Sequence, residues 1–441
     1  MKLYQNYKKQ LLFVWLGILL LSPTVFSVAQ QTAQDLKNQI SQKSSDIAKL
    51  EQEIATYQTQ LDTLGQQKNS LSNSIKGLDL TRKKLNADIS ITQTKIDKTN
   101  LTIKSLSSDI GNKENTIENS IDSISLGIRS TNEFEQSNIL GTLLSQNDFT
   151  SVWNDLDNIS TLRETIRQDI IQLKQVKNQL ENTKAETITA KNELISLKSK
   201  LGDQQKIVIQ NTNEKNALLK QTKSNEASYQ KLLKDRIAKR DAFEKEIEDY
   251  EAQLTYILDP SKLPAGRVLS WPLEKVYVTQ LFGKTVDSVR LYASGTHSGV
   301  DFKASVGTPI MSMADGTVMG TGDTDLVCAG GSFGKFVFIQ YNNGLSSTFG
   351  HLSLIKVSSG QQVKRGEVVA YSGATGHVTG PHLHISLYAP QSAKMGTLTS
   401  AGCDHKQYTM PLAPKNAYLN AMDYLPPYVV NTTILNNKIA E

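Results

Sequence analysis

The chain has 441 residues, too many for one ordinary hydrophobic core, so more than one structural unit is expected. Only 38% of it is hydrophobic and 7% aromatic, low for an enzyme that is compact throughout; a long polar element dilutes a smaller globular one. The net charge of +5 comes from 48 basic and 43 acidic residues interleaved along the chain, a pattern that excludes a nucleic-acid footprint.

At the amino terminus, Lys2, Lys8 and Lys9 precede the apolar run LLFVWLGILLL, then Pro23 and the small-residue stretch SVA ending at Ala29. Residues 1–29 read as an export signal cleaved near Ala29. An uncleaved anchor is the alternative, because residues 11–29 approach spanning length. Either way the remainder is expected in the periplasm or the extracellular cell wall. Cys328 and Cys403 suit such an oxidising compartment, where a single disulfide between them is compatible with the sequence. With no Cys-x-x-Cys pair, they do not read as metal ligands.

Residues 30–257 read as a rod. No proline lies between Pro23 and Pro260, and only six glycines fall in that stretch, so nothing interrupts helix formation. Apolar residues recur alternately every four and three positions from Leu36 through Leu64 and Leu71 to Ile124, a coiled-coil seam. As one helix this run would span roughly 130 Å. Lys43, Lys68, Arg82 and Lys113 interrupt the seam. A second helix follows, with a looser pattern through Ile166, Ile170 and Leu201 that tightens at Tyr229, Leu233, Phe243, Ile247, Tyr250 and Leu254. The two helices are expected to fold back as an antiparallel hairpin; a parallel homodimer would satisfy the same seam. The tip is placed near 138–160, where heptads lapse. Leu143, Leu144, Phe149 and Trp153 crowd there, either packing the tip on itself or forming a partner-binding patch.

Residues 258–267 form a linker, after which composition changes. Glycines become frequent, and short β-branched and aromatic runs alternate with turns from residue 268 to 427, ahead of a tail at 428–441. This is an all-β domain of hairpins. The fold class is therefore α plus β in separate units: a long helical hairpin followed by an antiparallel β domain.

Five of the six histidines lie between His297 and His384. In HLHISL the side chains of His382, His384 and Ser386 share one strand face, and Leu383, Ile385 and Leu387 point into the core. THSGVDF places His297 and Asp301 four apart around a glycine. His297, Asp301 and one histidine of the pair make the two-nitrogen, one-carboxylate set with an open position that a catalytic zinc uses. Magnesium or calcium would demand more oxygen ligands. His351 and the other histidine of the pair then remain unligated, suited to general-base work or to stabilising a tetrahedral intermediate.

At these residues the chain resembles the lysostaphin/LytM-type zinc endopeptidases that cut bacterial peptidoglycan, through HSGVD and the terminal HLH. The likeness extends to GTPIMSMADGTVMG, GHLSLIKVSSGQQVKRGEVVAYSGATG and TGPHLH. It implies an antiparallel β fold with a narrow groove, Zn2+ held by His297, Asp301 and His384, catalytic roles for His351 and His382, and peptide cross-links as substrate. Ser386 stands where an acidic residue is usual, His377 is extra, and insertions near 321–332 and 390–410 are expected to narrow or cap the cleft. The signal, rod and β domain together resemble the EnvC- and PcsB-like murein hydrolases and hydrolase activators. That likeness implies control through the rod by a membrane complex of the division machinery. The leading expectation is an exported zinc endopeptidase of peptidoglycan. The alternative is a non-catalytic activator of a separate amidase; a bare coiled-coil scaffold leaves the histidines unexplained.

Overall fold

The computed structural model describes residues 33–65, 70–136, 149–285, 288–289 and 295–428. The expected signal at 1–29 lies outside them, as do Leu143 and Leu144 of the expected tip and nearly all of the tail. Two compact units make up the chain: Met1–Ser44 with Asp97–Asn192, and Ser45–Ile96 with Glu193–Glu441.

Four long helices are described: α1 (Ala33–Gly65), α2 (Leu71–Gln136), α3 (Phe149–Thr222) and α4 (Glu226–Gln253). The first unit holds the distal parts of α2 and α3 and the start of α1. Lys184 meets Glu114 at 2.8 Å and Lys113 donates to Thr183 at 3.2 Å, while Ile166 lies over Gly127. Sequence separation falls from 70 to 39 between these contacts, so α2 and α3 run antiparallel within one chain. Trp153 lies on α3 and is 66% exposed.

The long first helix expected from the heptads is in fact two. Lys43 reaches Asp97 at 3.4 Å in the first unit, a separation of 54 residues that a continuous helix would stretch to about 80 Å. In the second unit Leu64 lies against Gly77. Helix α1 therefore reverses onto α2. Gly65 ends it, and the Ser70 hydroxyl caps α2 by accepting from Asn73 N at 3.2 Å. The second expected helix is also divided. Lys223 and Ser224 take left-handed conformations (φ 50° and 54°), and Asn225 caps α4 by accepting from Ser228 N.

The second unit carries the β domain. Its main sheet runs β1 (Val278–Gln280), β2 (Val300–Lys303), β10 (His382–Tyr388), β6 (Ser346–Gly350), β5 (Lys335–Tyr341), β4 (Gly316–Asp323), β8 (Gln362–Val363), with β13 (Tyr418–Leu419) also on β10. All of these pairings are antiparallel. A smaller sheet, β3 (Pro309–Met311), β9 (Val368–Ser372) and β7 (Leu352–Ile355), packs beside it. The hairpin of β11 (Lys394–Ser400) and β12 (Lys406–Leu412) is the insertion around Cys403. One core gathers Val300, Phe302, Ile310, Val337, Ile339 and Phe349 with Leu383, Ile385 and Leu387, the alternate residues of β10.

A second core changes the reading of α4. Phe243 and Ile247, expected in the rod seam, instead pack on Cys328, Phe333, Phe336, Cys403, Tyr408 and Met410 of the β domain. Cys328 and Cys403 are joined as a disulfide, tying the two insertions together under the helix. The β11–β12 insertion packs on its neighbours: Met395 lies against Gly320 of β4, and Gly402 N donates to Glu246 of α4. Helices α2 and α3 also hold the domain, through Leu85, Ile207 and Tyr371 and through Asp203, which accepts from Tyr371 and Lys356.

Truncating the fully buried Phe243 removes the centre of the second core. Phe243→Ala should cost about 3–5 kcal/mol of docking and packing, read as lost hydrogen-exchange protection in residues 226–253. Protection equal to that of the unaltered chain would show that α4 is held elsewhere.

Candidate metal centre

Strand pairing builds the site. In the register of β2 with β10, Asp301 stands opposite His384, and in that of β6 with β10 so does Gly350. His297 enters from the segment before β2, whose backbone bridges Gly283 in both directions at 2.9 Å. Gly299 permits the close approach: a Cβ there would lie 2.4 Å from Ile385 O and 2.6 Å from the His384 ring. The sequence marks that glycine only as a spacer between His297 and Asp301.

The three candidate ligands converge. His384 Nδ1 lies 2.9 Å from Asp301 Oδ1 and 3.1 Å from His297 Nε2, which is 3.3 Å from Asp301 Oδ1. A tetrahedral zinc with bonds near 2.0–2.1 Å holds its ligand atoms roughly 3.3 Å apart. All three side chains are buried. Two imidazole nitrogens and one carboxylate oxygen in this spacing fit a zinc ion, and the protein residues leave coordination incomplete for a closed structural site.

The remaining ring nitrogens are tied down. Leu281 O accepts from His297 Nδ1 at 3.0 Å, Thr375 O from His351 Nδ1 at 2.9 Å, and Gly380 O from His382 Nδ1 at 2.9 Å. A carbonyl only accepts, so each of those nitrogens carries a proton, and in the neutral ring the lone pair falls on Nε2. His384 is turned the other way, with Nε2 on Ser386 Oγ at 2.9 Å and Nδ1 on the ligand cluster.

The two histidines expected to stay unligated sit beside the cluster. The His351 and His382 rings are 4.6 Å apart, and His382 Nε2 lies 3.6 Å from Asp301 Oδ1. His351 is held in the left-handed region at φ 61°, its N–H donating to Phe333 O at 2.7 Å. That conformation is costly for a residue with a Cβ, and such strain collects at functional sites. Phe333, from the insertion around Cys328, covers His384 at 5.8 Å. His377 is apart from the cluster and pairs with Glu244 of α4.

Burial raises the Asp301 carboxyl, but the charges of His297 and His382 and hydrogen bonds from His297 and His384 outweigh it and hold the group well below the carboxylate range. Burial lowers His351 well below its ordinary value, helped by His382 and His384 and opposed by Asp301. Burial likewise lowers His384, against the pull of Asp301. The Asp301 oxygen is therefore ionised, and burial favours the neutral ring at His351 and His384, the form in which an imidazole binds a metal ion.

Residues 295–395 match the family model described as Peptidase family M23. The peptidoglycan DD-endopeptidase ShyA of Vibrio cholerae is 35% identical over 129 residues, 29% of this chain and 29% of that protein. The glycyl-glycine endopeptidase ALE-1 of Staphylococcus capitis is 40% identical over 92 residues, 21% of this chain and 24% of that protein. The chain thus spans less than a third of the length of these relatives. Among solved structures, the catalytic domain of lysostaphin from Staphylococcus simulans aligns at 23% identity, covering 33% of this chain and 90% of that one, with a TM-score of 0.25.

Gly299→Ala forces backbone apart, since its nearest neighbour is a carbonyl oxygen rather than a flexible side chain. The dialysed variant should retain far less than its unaltered share of zinc, as counted by atomic emission, while α-helical circular dichroism stays the same. Full zinc retention would place the close approach elsewhere.

Proposed function

Because residues 295–395 form a Peptidase family M23 domain, we propose that this chain is an exported zinc endopeptidase that cuts peptide cross-links of peptidoglycan. One observation carries the reading: His297, Asp301 and His384 bring three ligand atoms within 2.9–3.3 Å of one another, with two further imidazoles alongside. Zinc held there supplies Lewis acidity and makes water nucleophilic near neutral pH.

The chain's own groups do the rest. His351 and His382 each present Nε2 with its lone pair, because Nδ1 is committed to a backbone carbonyl. One accepts the proton of the attacking water. The other, once protonated, stabilises the oxyanion that forms from the amide carbonyl. The named relatives are a peptidoglycan DD-endopeptidase and a glycyl-glycine endopeptidase, and peptidoglycan is the substrate class this reading takes, in the periplasm or the extracellular cell wall.

Control through the helices belongs to the same proposal. Glu244 of α4 pairs with His377, two residues beyond Thr375, whose carbonyl orients His351. Helix α4 thereby restrains the wall of the groove. The segment near 138–160, with Leu143, Leu144, Phe149 and Trp153, is proposed as the contact for a membrane-bound division complex that relieves the restraint.

His384→Ala should lose both zinc and cleavage of cross-linked peptidoglycan, whereas His382→Ala should abolish cleavage and keep most of the metal. Fragment masses after digestion and zinc content after dialysis read the two quantities. Zinc-loaded protein without turnover would favour the activator of a separate amidase. Glu244→Gln should raise the turnover of the full chain several-fold if α4 restrains the groove, with the steady-state digestion rate as the measure; an unchanged rate would remove α4 from the control.

A further inference from the structure

His351 stands at φ 61°, so its position has to be imposed by its surroundings. Two loops impose it, one at each end of the residue. The segment 328–334 accepts its backbone N–H at Phe333 O, 2.7 Å away. The segment 373–377 holds its ring, with Nδ1 donating to Thr375 O at 2.9 Å. In that second loop the backbone of Gly373 also bridges that of His382.

The two loops are joined back to back. His377 N donates to Ser332 O at 2.8 Å, and Lys335 N donates to Thr375 Oγ1 at 3.0 Å. The approach is close: a Cβ on Gly376 would lie 2.3 Å from Gly334 N. Asp325 stands at this seam, in the single 3-10 turn Thr324–Leu326 that follows β4. Its Oδ1 accepts from Gly330 N at 2.7 Å, and its Oδ2 accepts from Gly376 N at 2.9 Å.

One half-buried carboxylate therefore grips both loops, and its rigid plane fixes the distance between them. The neighbouring Thr324 secures the first loop alone. Its hydroxyl donates to Gly331 O at 2.6 Å and accepts from Gly334 N at 2.8 Å. Asp325 and Gly330 both lie in the insertion near 321–332, which so contributes a part to the site instead of merely bordering it.

We propose that Asp325 is a positioning residue for catalysis, clamping the 328–334 and 373–377 loops so that the His351 ring keeps its place beside His382 and His384. It acts through Phe333 O and Thr375 O, not by touching substrate. General acid–base work depends on placement, and a displacement of about 1 Å can cost on the order of a hundredfold in rate. The inference rests on the role given to His351 in the proposed function.

Two measurements on the full chain test it. Nitrogen-15 labelling of the histidines reveals the His351 Nδ1–H by NMR, identified by its loss in His351→Ala. Turnover of soluble cross-linked muropeptides by the zinc-loaded protein gives kcat and KM. In Asp325→Ala, which frees both glycine N–H groups, that proton should exchange with water about tenfold faster. Its kcat should fall about a hundredfold, with KM and zinc content unchanged. Asp325→Asn keeps one accepting oxygen, so its kcat should fall only about tenfold. Leu326→Ala, on the same turn but 76% exposed, should change nothing. Should Asp325→Ala fail to fold, Asp325→Asn carries the test. An unaltered His351 proton, an unaltered kcat, a loss of zinc in step with kcat, or an equal loss in Leu326→Ala would overturn the inference. An unsubstituted chain without zinc, or with zinc and no turnover, would instead overturn the proposed function; the His351 proton then still decides whether Asp325 positions the ring.

Discussion

The register between β2 and β10 is the constraint on which the site depends. Asp301 and His384 face each other across that ladder because Val300 pairs with Ile385 and Phe302 with Leu383. Those four apolar side chains are fully buried in the main core. A slip of one residue would turn Leu383 and Ile385 out of the core and set one of them opposite Asp301. The hydrophobic core and the ligand cluster are therefore alternate faces of the same strands, and the energy that fixes one fixes the other.

Glycine then sets how near the strands can bring their side chains. Gly299 lets the His297 segment pass under β10, and Gly350 leaves room for the Phe333 ring, which a Cβ there would meet at 3.1 Å. With the distances set, orientation is handled by backbone carbonyls: Leu281, Thr375 and Gly380 each hold one ring nitrogen of His297, His351 and His382. His384 is the exception, supported by a side chain. Backbone groups move only with the fold, so three of the four rings are oriented without ordering a second side chain.

Much of the site was legible from residue spacing because a strand has a strict period of two. HLHISL announced which side chains share a face, the His-x-x-x-Asp segment offered two donors to join one histidine of that pair, and the family resemblance singled out His384. The helices were less legible. Leu64 and Leu71 are seven apart, so the heptad count passes through the α1–α2 reversal without a break, and only Gly65 and Ser70 mark it locally. Phe243 and Ile247 have helical spacing that suits a rod seam and a domain interface equally well. A periodicity says which face of a helix is apolar and is silent about what covers it.

The sequence alone determined local matters: helix and strand type, the alternation along β10, and the kinds of nitrogen and oxygen donor available for a metal. These follow from backbone periodicity and from the chemistry of single side chains. Only the tertiary structure decided that α1 and α4 turn back, that α4 packs on the β domain over the Cys328–Cys403 link, and that Asp301 and His384, 83 positions apart in the sequence, meet across one strand pair. Such contacts depend on how whole elements pack, and a residue's neighbours in sequence carry no record of its neighbours in space.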